Sequence, residues 1–341
     1  MNLFYKFILL LYGKFYSGAF KKREVYRFLA KIFSFFFMRK KTHFDIKVKT
    51  YDGSNQVVHP DMLFNPNTKN YILAFTPYPY GFDCYENPSI LYGKELNNLK
   101  AVKSNPIAIS EIDRPLCHLC DPVLLQDGQK YYCFFLDVLN IGDTRKCVFY
   151  YSDSNDILKW SSKKIVKQYS FNISSKQHVL CPAIIKYGTF FYFYTVHVDV
   201  ENDSYLSVSK SGLIDKFENE EQCIIKNMPE NYYLWHLNIC FDKDYFKNHS
   251  ISESKNILGL FLLRKRGDTT IYKTVFAVSD DFKNWNITGE LFFPEELKNE
   301  ALSLYKGTII PNSGDILISY KDKKRMWRLA RIPYKEIVME K

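Results

Sequence analysis

The stretch Cys120–Asp137, CDPVLLQDGQKYYCFFLD, holds a polar start, a short apolar run, an Asp-Gly turn and a second, aromatic run. Short Val/Leu/Tyr/Phe runs separated by a turn dipeptide read as two paired β-strands. Four more stretches share the pattern. They are HPDMLFNPNTKNYILAFTP from His59, CPAIIKYGTFFYFYTVHVD from Cys181, WHLNICFDKDYF from Trp235 with its second strand ILGLFLLRKR after a polar insertion, and YKGTIIPNSGDILISYKD from Tyr305. Later strands also rhyme, as in SILYGKELNNL, VFYYSDSNDILKW and FAVSDDFKNW. One such four-stranded sheet cannot bury both of its faces alone, so copies must stack. Radial stacking makes a β-propeller, and five units predict five blades. A β-sandwich is the rival architecture, but it leaves unexplained why the strand starts stay polar.

The chain has 341 residues, of which 46% are hydrophobic, 25% charged and 17% aromatic. That is ordinary globular material rather than a disordered chain. No apolar run reaches the length of a spanning helix, which excludes a polytopic membrane protein. The net charge of +10 is concentrated in residues 1–50, which carry twelve Lys/Arg against Glu24 and Asp45. The rest is neutral, which argues against a nucleic-acid binder, whose basic patch would lie on the folded body. Motifs for nucleotide binding, for a serine hydrolase and for a zinc protease are absent.

Residues 2–13 and 22–38 read as helices. In the second, Val25, Phe28, Leu29, Ile32, Phe33 and Phe36 form an apolar stripe flanked by Lys and Arg. This is the pattern of an interfacial helix on anionic lipid, so residues 1–42 are expected to meet a membrane surface. A helix docked on the body, or a secretory signal, are the alternatives. The expected division is a basic amphipathic helical arm over 1–45 and an all-β propeller over 46–341. Most of the eight cysteines sit in apolar runs, which suggests reduced thiols and a cytoplasmic chain, peripheral at the inner face of the membrane. Cys117 and Cys120 have CxxC spacing but lack a second pair to complete a zinc site.

In a propeller the first strand of each blade lines the central channel and opens into a funnel. Aligning those strands puts Pro60, Asp121, Cys181, His236 and Lys306 in one layer and Asp61, Pro122, Pro182, Leu237 and Gly307 in the next. His59, His118, His178 and His236 then converge with Asp61 and Asp121 at one mouth. No cofactor is expected, although convergent imidazoles are also good metal ligands.

The repeat architecture over residues 55–335, with CDPVLLQDGQKYYCFF as its clearest piece, resembles five-bladed glycoside hydrolases of the arabinanase/xylosidase and invertase type. HPDMLF, AFTPYPYGFDCYENPSIL and Asn105-Pro106 are similar to poorly characterised sialidase-like propellers. The first resemblance implies three funnel carboxylates. Asp61 maps to the base or nucleophile and Asp121, before Pro122, to the orienting aspartate. The third, the acid at the start of blade three, has no counterpart in His178-Val179-Leu180-Cys181-Pro182. Glycosidic cleavage needs a proton donor as well as a charged carboxylate. Glu86, in the loop after the second strand of blade one, or an imidazole such as His178 or His197, is the candidate donor. Tyr78 and Trp235 are candidate sugar-stacking faces. His59, His118 and His236 are expected to line the substrate site. Lys306, Arg114 and the Arg264-Lys265-Arg266 run are candidate anchors for an acidic sugar or phosphate. The expected function is a carbohydrate-active enzyme acting on a glycan at a membrane surface. A glycosyltransferase of surface-polysaccharide synthesis and a non-catalytic glycan-binding propeller are the alternatives.

Overall fold

A computed structural model of the chain describes residues 42–81, 83–110, 118–199, 203–241, 257–311 and 313–340. The predicted helical arm over residues 1–41 lies outside the described residues. The remainder is a five-bladed β-propeller. Blade one is Val57–Asn65, Asn70–Pro77, Ser89–Gly93 and Lys100–Ala101, in that order from the axis outward. Blade two is His118–Asp127, Lys130–Ile141, Thr144–Ser154 and Lys164–Asn172, and blade three is His178–Tyr187, Phe190–Val198, Ser204–Ser211 and Glu220–Gln222. Blade four is Tyr232–Cys240, Ile257–Lys265, Asp268–Ser279 and Asn284–Phe292, its outer edge paired by Ile224–Lys226 and Val338–Glu340. Blade five is Ala301–Ile309, Ile316–Asp322 and Trp327–Ile332. The five innermost strands touch one another in a closed cycle.

Period-2 alternation explains the stacking. In Asn70–Pro77, Ile72 and Ala74 pack against blade two, whereas Leu73 and Phe75 pack against blade five. Cys133 and Phe135 of blade two face blade one, and Phe134 and Leu136 face blade three. The same division separates Phe193 from Tyr194, Phe261 from Leu260, and Ile318 from Leu317. Both faces of each middle strand are therefore apolar, and each of the five core clusters fills one gap between neighbouring blades.

The chain start closes the ring. Asp45 bridges Ala330, Ile46 N–H donates to Leu329 O at 3.0 Å, and Arg331 N–H donates to Phe44 O at 2.9 Å. Phe44 is buried among residues of blades four and five, and Tyr320 Oη donates to Asp45 Oδ1 at 2.6 Å. Residues 44–46 thus form the outer edge of blade five, and the propeller begins before residue 46.

Candidate active site

The site is built on bulges in the innermost strands. His59, Asp121 and Cys181 all have left-handed backbone (φ 54, 52 and 51), and each precedes a proline. Register shifts fall at the same place in all three strands, between Val58 and Asp61, between Cys120 and Val123, and opposite Tyr194/Val196. Residues before proline normally stay extended, so each position is held by its surroundings. A bulge re-aims the side chain it carries. Blades four and five break register at Trp235 and at Tyr305-Lys306. The residue equivalent to Asp121 in blade one is therefore His59 and not Asp61. The sequence alignment of blade one is corrected by one residue, because the bulge inserts two residues against one.

The corrected register gathers four side chains around the axis. Asp121 is 1% exposed. Its Oδ1 lies 3.0 Å from Lys306 Nζ, 3.3 Å from His236 Nδ1 and 3.7 Å from His59 Nε2. Burial opposes ionisation of Asp121, but His236, His59 and Lys306 outweigh it and hold the carboxyl well below its usual range. Burial lowers the His59 pKa to about 3 and lowers that of His236 as well, so both imidazoles are neutral at pH 7. Each is oriented through its other nitrogen. His59 Nδ1 is 3.0 Å from Thr76 Oγ1, and His236 Nε2 is 2.7 Å from Tyr305 Oη, which also accepts from Trp235 Nε1 at 3.2 Å. If those nitrogens donate to the hydroxyls, the nitrogens that face Asp121 carry the lone pairs that a cation would use.

Two sets of ligand-type atoms lie within 4.8 Å of one another: His59/Asp121/His236 and Glu86/His118/Cys120. The first suits a divalent cation, because it offers two neutral imidazoles and an ionised carboxylate, each with a supporting hydrogen bond or ion pair. The second suits one poorly. Burial pushes the Cys120 thiol well above its usual range, and burial together with Asp121 and Asp83 does the same to Glu86. The Cys120 thiol therefore keeps its proton at pH 7, and Glu86 gives its proton up less readily than an exposed carboxylate. Lys306 shares the Asp121 oxygen, so any cation there sits beside an ammonium.

Next to this cluster is a cavity of about 460 Å³ lined by His59, Tyr78, Glu86, Tyr272, Tyr305 and Trp327, and also by Thr270, Leu302, Ser303, Lys321 and Arg325. Glu86 Oε2 lies 3.4 Å from His118 Nε2, and His118 Nδ1 faces Asp83 at 4.0 Å. Tyr305, Tyr272 and Trp327 form a connected aromatic wall, with ring centroids 5.5 Å apart in each contact to Tyr305. Tyr78 extends it, 5.9 Å from Trp327.

Other residues expected at the mouth lie elsewhere. Asp61 is buried beneath it and accepts from Leu124 N at 2.7 Å, Asn238 Nδ2 at 2.7 Å and Thr308 Oγ1 at 3.3 Å. It ties blade one to blades two, four and five, and burial raises its pKa to about 6. His178 stands apart from Asp121; its Nδ1 is 3.1 Å from Lys176 O, and its ring meets Trp235 edge-on. One face of Trp235 is covered by the Arg264 guanidinium at 4.4 Å. Lys306, read as a substrate anchor, is 2% exposed and committed to Asp121. His197 pairs with Glu220 on blade three. Arg266 pairs with Asp203, and Arg114 lies outside the described residues. The alignment missed Thr76, Tyr272, Tyr305 and Trp327. Only Tyr305 carried a signal, as the neighbour of Lys306 in a strand start.

No family model and no curated protein matches the chain. Solved structures do. An N-acetylgalactosamine deacetylase from F. plautii, in complex with blood group B trisaccharide, is similar at 14% identity over 88% of this chain and 95% of that one, with a TM-score of 0.69. An endo-arabinase from Bacteroides thetaiotaomicron is similar at 14% identity over 86% and 97%, with a TM-score of 0.55. A GH43 β-xylosidase/α-arabinofuranosidase from a compost microbial metagenome, in complex with xylotriose, is similar at 11% identity over 89% and 95%, with a TM-score of 0.54. The likeness is one of fold, to five-bladed propellers whose names are those of carbohydrate-active enzymes.

Proposed function

We propose that this propeller is a carbohydrate-active hydrolase that removes an acyl substituent from a sugar, with His59, Asp121 and His236 holding a divalent cation. The observation that carries this reading is the convergence of two neutral imidazoles and an ionised carboxylate next to the aromatic cavity. Glycosidic cleavage is less well supported, because among the described residues Glu86 is the only carboxylate lining the cavity. A divalent cation bound there supplies Lewis acidity toward an acyl oxygen and toward water. The protein's own groups do the rest. Tyr272, Tyr305 and Trp327 stack on the sugar. Glu86, in its ionised form, takes the proton of the attacking water and returns it to the leaving nitrogen or oxygen, a role that a carboxyl raised toward neutral pH suits. A carbon–oxygen bond to water forms, the bond to the sugar nitrogen or oxygen breaks, and a carboxylic acid and the free sugar amine or hydroxyl are released.

The deciding assay is acetate release from N- and O-acetylated saccharides by the full chain, with and without a chelator. Release that stops on chelation and returns with added cation supports the reading. Reducing ends appearing without acetate would replace it with glycosidase chemistry, and transfer to a lipid-linked acceptor with transferase chemistry. A second reading, non-catalytic glycan binding, draws on the burial of Asp121 and its neutralisation by Lys306. It predicts saccharide binding without any turnover. The basic arm would bring the site to an anionic membrane at the cytoplasmic face. Flotation of the full chain with anionic liposomes, against a form lacking residues 1–41, tests that placement; equal flotation rejects it.

A further inference from the structure

One wall of the cavity comes from the hairpin that joins Ile316–Asp322 to Trp327–Ile332, and it carries Lys321, Arg325 and Trp327. Asp322, fully buried, organises that turn. Its Oδ1 accepts from Lys324 N at 2.8 Å and from Met326 N at 2.9 Å, and its Oδ2 accepts from Arg328 Nε at 2.7 Å. Its charge is thereby matched by Arg328 and by backbone donors. Arg325 N–H donates to Asp322 O at 2.7 Å, and Arg325 has φ 65. Glycine or asparagine is the favoured residue in that left-handed region. An arginine held there points to a use for its side chain.

Lys321 is half-buried beside it, with Nζ 5.7 Å from the centre of the Trp327 ring. Burial and the nearby Arg325 lower the Lys321 pKa. Among the described residues no carboxylate pairs with Lys321 or Arg325. Glu86, which also lines the cavity, is engaged by His118. Two cations on one hairpin next to a stacking wall form a site for a planar or tetrahedral anion.

We propose that Lys321 and Arg325 form an anion subsite that makes the cavity specific for an acidic sugar, bearing a carboxylate or a phosphate, whose ring stacks on Trp327 and Tyr272. This rests on reading the cavity as a glycan site. The chemistry shared by the two anions is a set of oxygens matched to one guanidinium and one ammonium.

The test is calorimetric titration of the full chain with a galacturonate oligosaccharide, N-acetylglucosamine 1-phosphate and a neutral N-acetylglucosamine oligosaccharide. At least one anionic probe is expected to bind about tenfold or more tightly than the neutral one, since a charge-assisted hydrogen bond contributes roughly that factor. That preference shrinks at high salt. Which anion binds tighter tells uronate from sugar phosphate. Arg325→Gly removes the guanidinium and relieves the left-handed backbone. It is expected to keep or raise the denaturation midpoint while erasing most of the preference, and Lys321→Met is expected to erase the remainder. Equal affinity for all three probes, or a preference that survives both substitutions, overturns the subsite. Divalent-cation binding, measured on the same samples, separates the two readings. Without it but with the anionic preference intact, the hydrolase reading falls and the subsite stands; with it but without the preference, the subsite alone falls.

Discussion

His59 and Asp61 stand two residues apart in one strand, and their environments diverge. His59 turns into the funnel from a bulge, whereas Asp61 points down to three donors from three other blades. Removing the Asp61 carboxylate leaves the buried Leu124 N–H and Asn238 side chain without this acceptor. Asp61→Ala is therefore expected to cost about 2–4 kcal/mol, read by denaturant unfolding. The pH sign follows from burial. The folded pKa of about 6 lies above the 3.8 of an unperturbed aspartate, so the native state holds the proton more tightly. The stability this gives is complete below the unfolded pKa and is lost as pH rises through about 6, a change of roughly 3 kcal/mol. Asp61→Asn should flatten the stability profile over that window; an unchanged slope would show that Asp61 titrates normally. Lys306 makes a further residue-scale prediction. Its ammonium competes with any cation for Asp121 Oδ1, so Lys306→Met should tighten divalent-cation binding, seen by calorimetry. Weaker binding in that variant would mean that Lys306 is needed to hold Asp121 in place.

At the scale of strands, alternation decides which neighbour a residue meets. Phe134 of blade two and Phe193 of blade three share one gap, with ring centroids 6.0 Å apart. Each Phe→Ala change is expected to cost about 3–5 kcal/mol. Because the rings touch, the double variant should depart from the sum of the single ones by about 0.5–3 kcal/mol. Additive losses would contradict direct packing across that gap. The strand repeat was legible in the sequence, since CDPVLLQDGQKYYCFFLD and its four counterparts carry both the strand spacing and the two apolar faces. The bulges were not. An extra residue ahead of a proline leaves the hydrophobic pattern intact and moves only the register, so His59 was placed one step away from its true equivalence with Asp121. Lys321, Arg325 and Trp327 were also hidden, because they reach the cavity from the end of one later strand, the turn after it and the start of the next, which no strand-start alignment includes. Lys306 sat in the right layer, but nothing local in YKGTII announces that its charge is buried against Asp121.

At the scale of the whole molecule, the ring brings the site together. His59, Asp121, His236 and Lys306 belong to blades one, two, four and five, and no two of them share a sheet. The outer edge of blade five comes from residues 44–46, so closure ties the start of the chain to its end. Phe44 and Val48 are both buried in doing so. Deleting residues 1–48 is expected to cost roughly 3–6 kcal/mol relative to a form lacking only 1–41, from the lost burial of those two side chains. Equal unfolding midpoints for the two forms would show that the ring is held without that strap. A site assembled from four blades exists only in the closed propeller, which is why the chemistry of the funnel was harder to read than the fold that builds it.

The most direct measurement is anomalous diffraction from crystals of the full chain soaked with zinc or manganese. A single strong peak is expected at the axis, bounded by His59 Nε2, His236 Nδ1 and an oxygen of Asp121, and absent after His236→Gln. A peak held by other residues, or no peak when the metal is bound elsewhere in solution, would contradict the assembly of these three groups into one cation site.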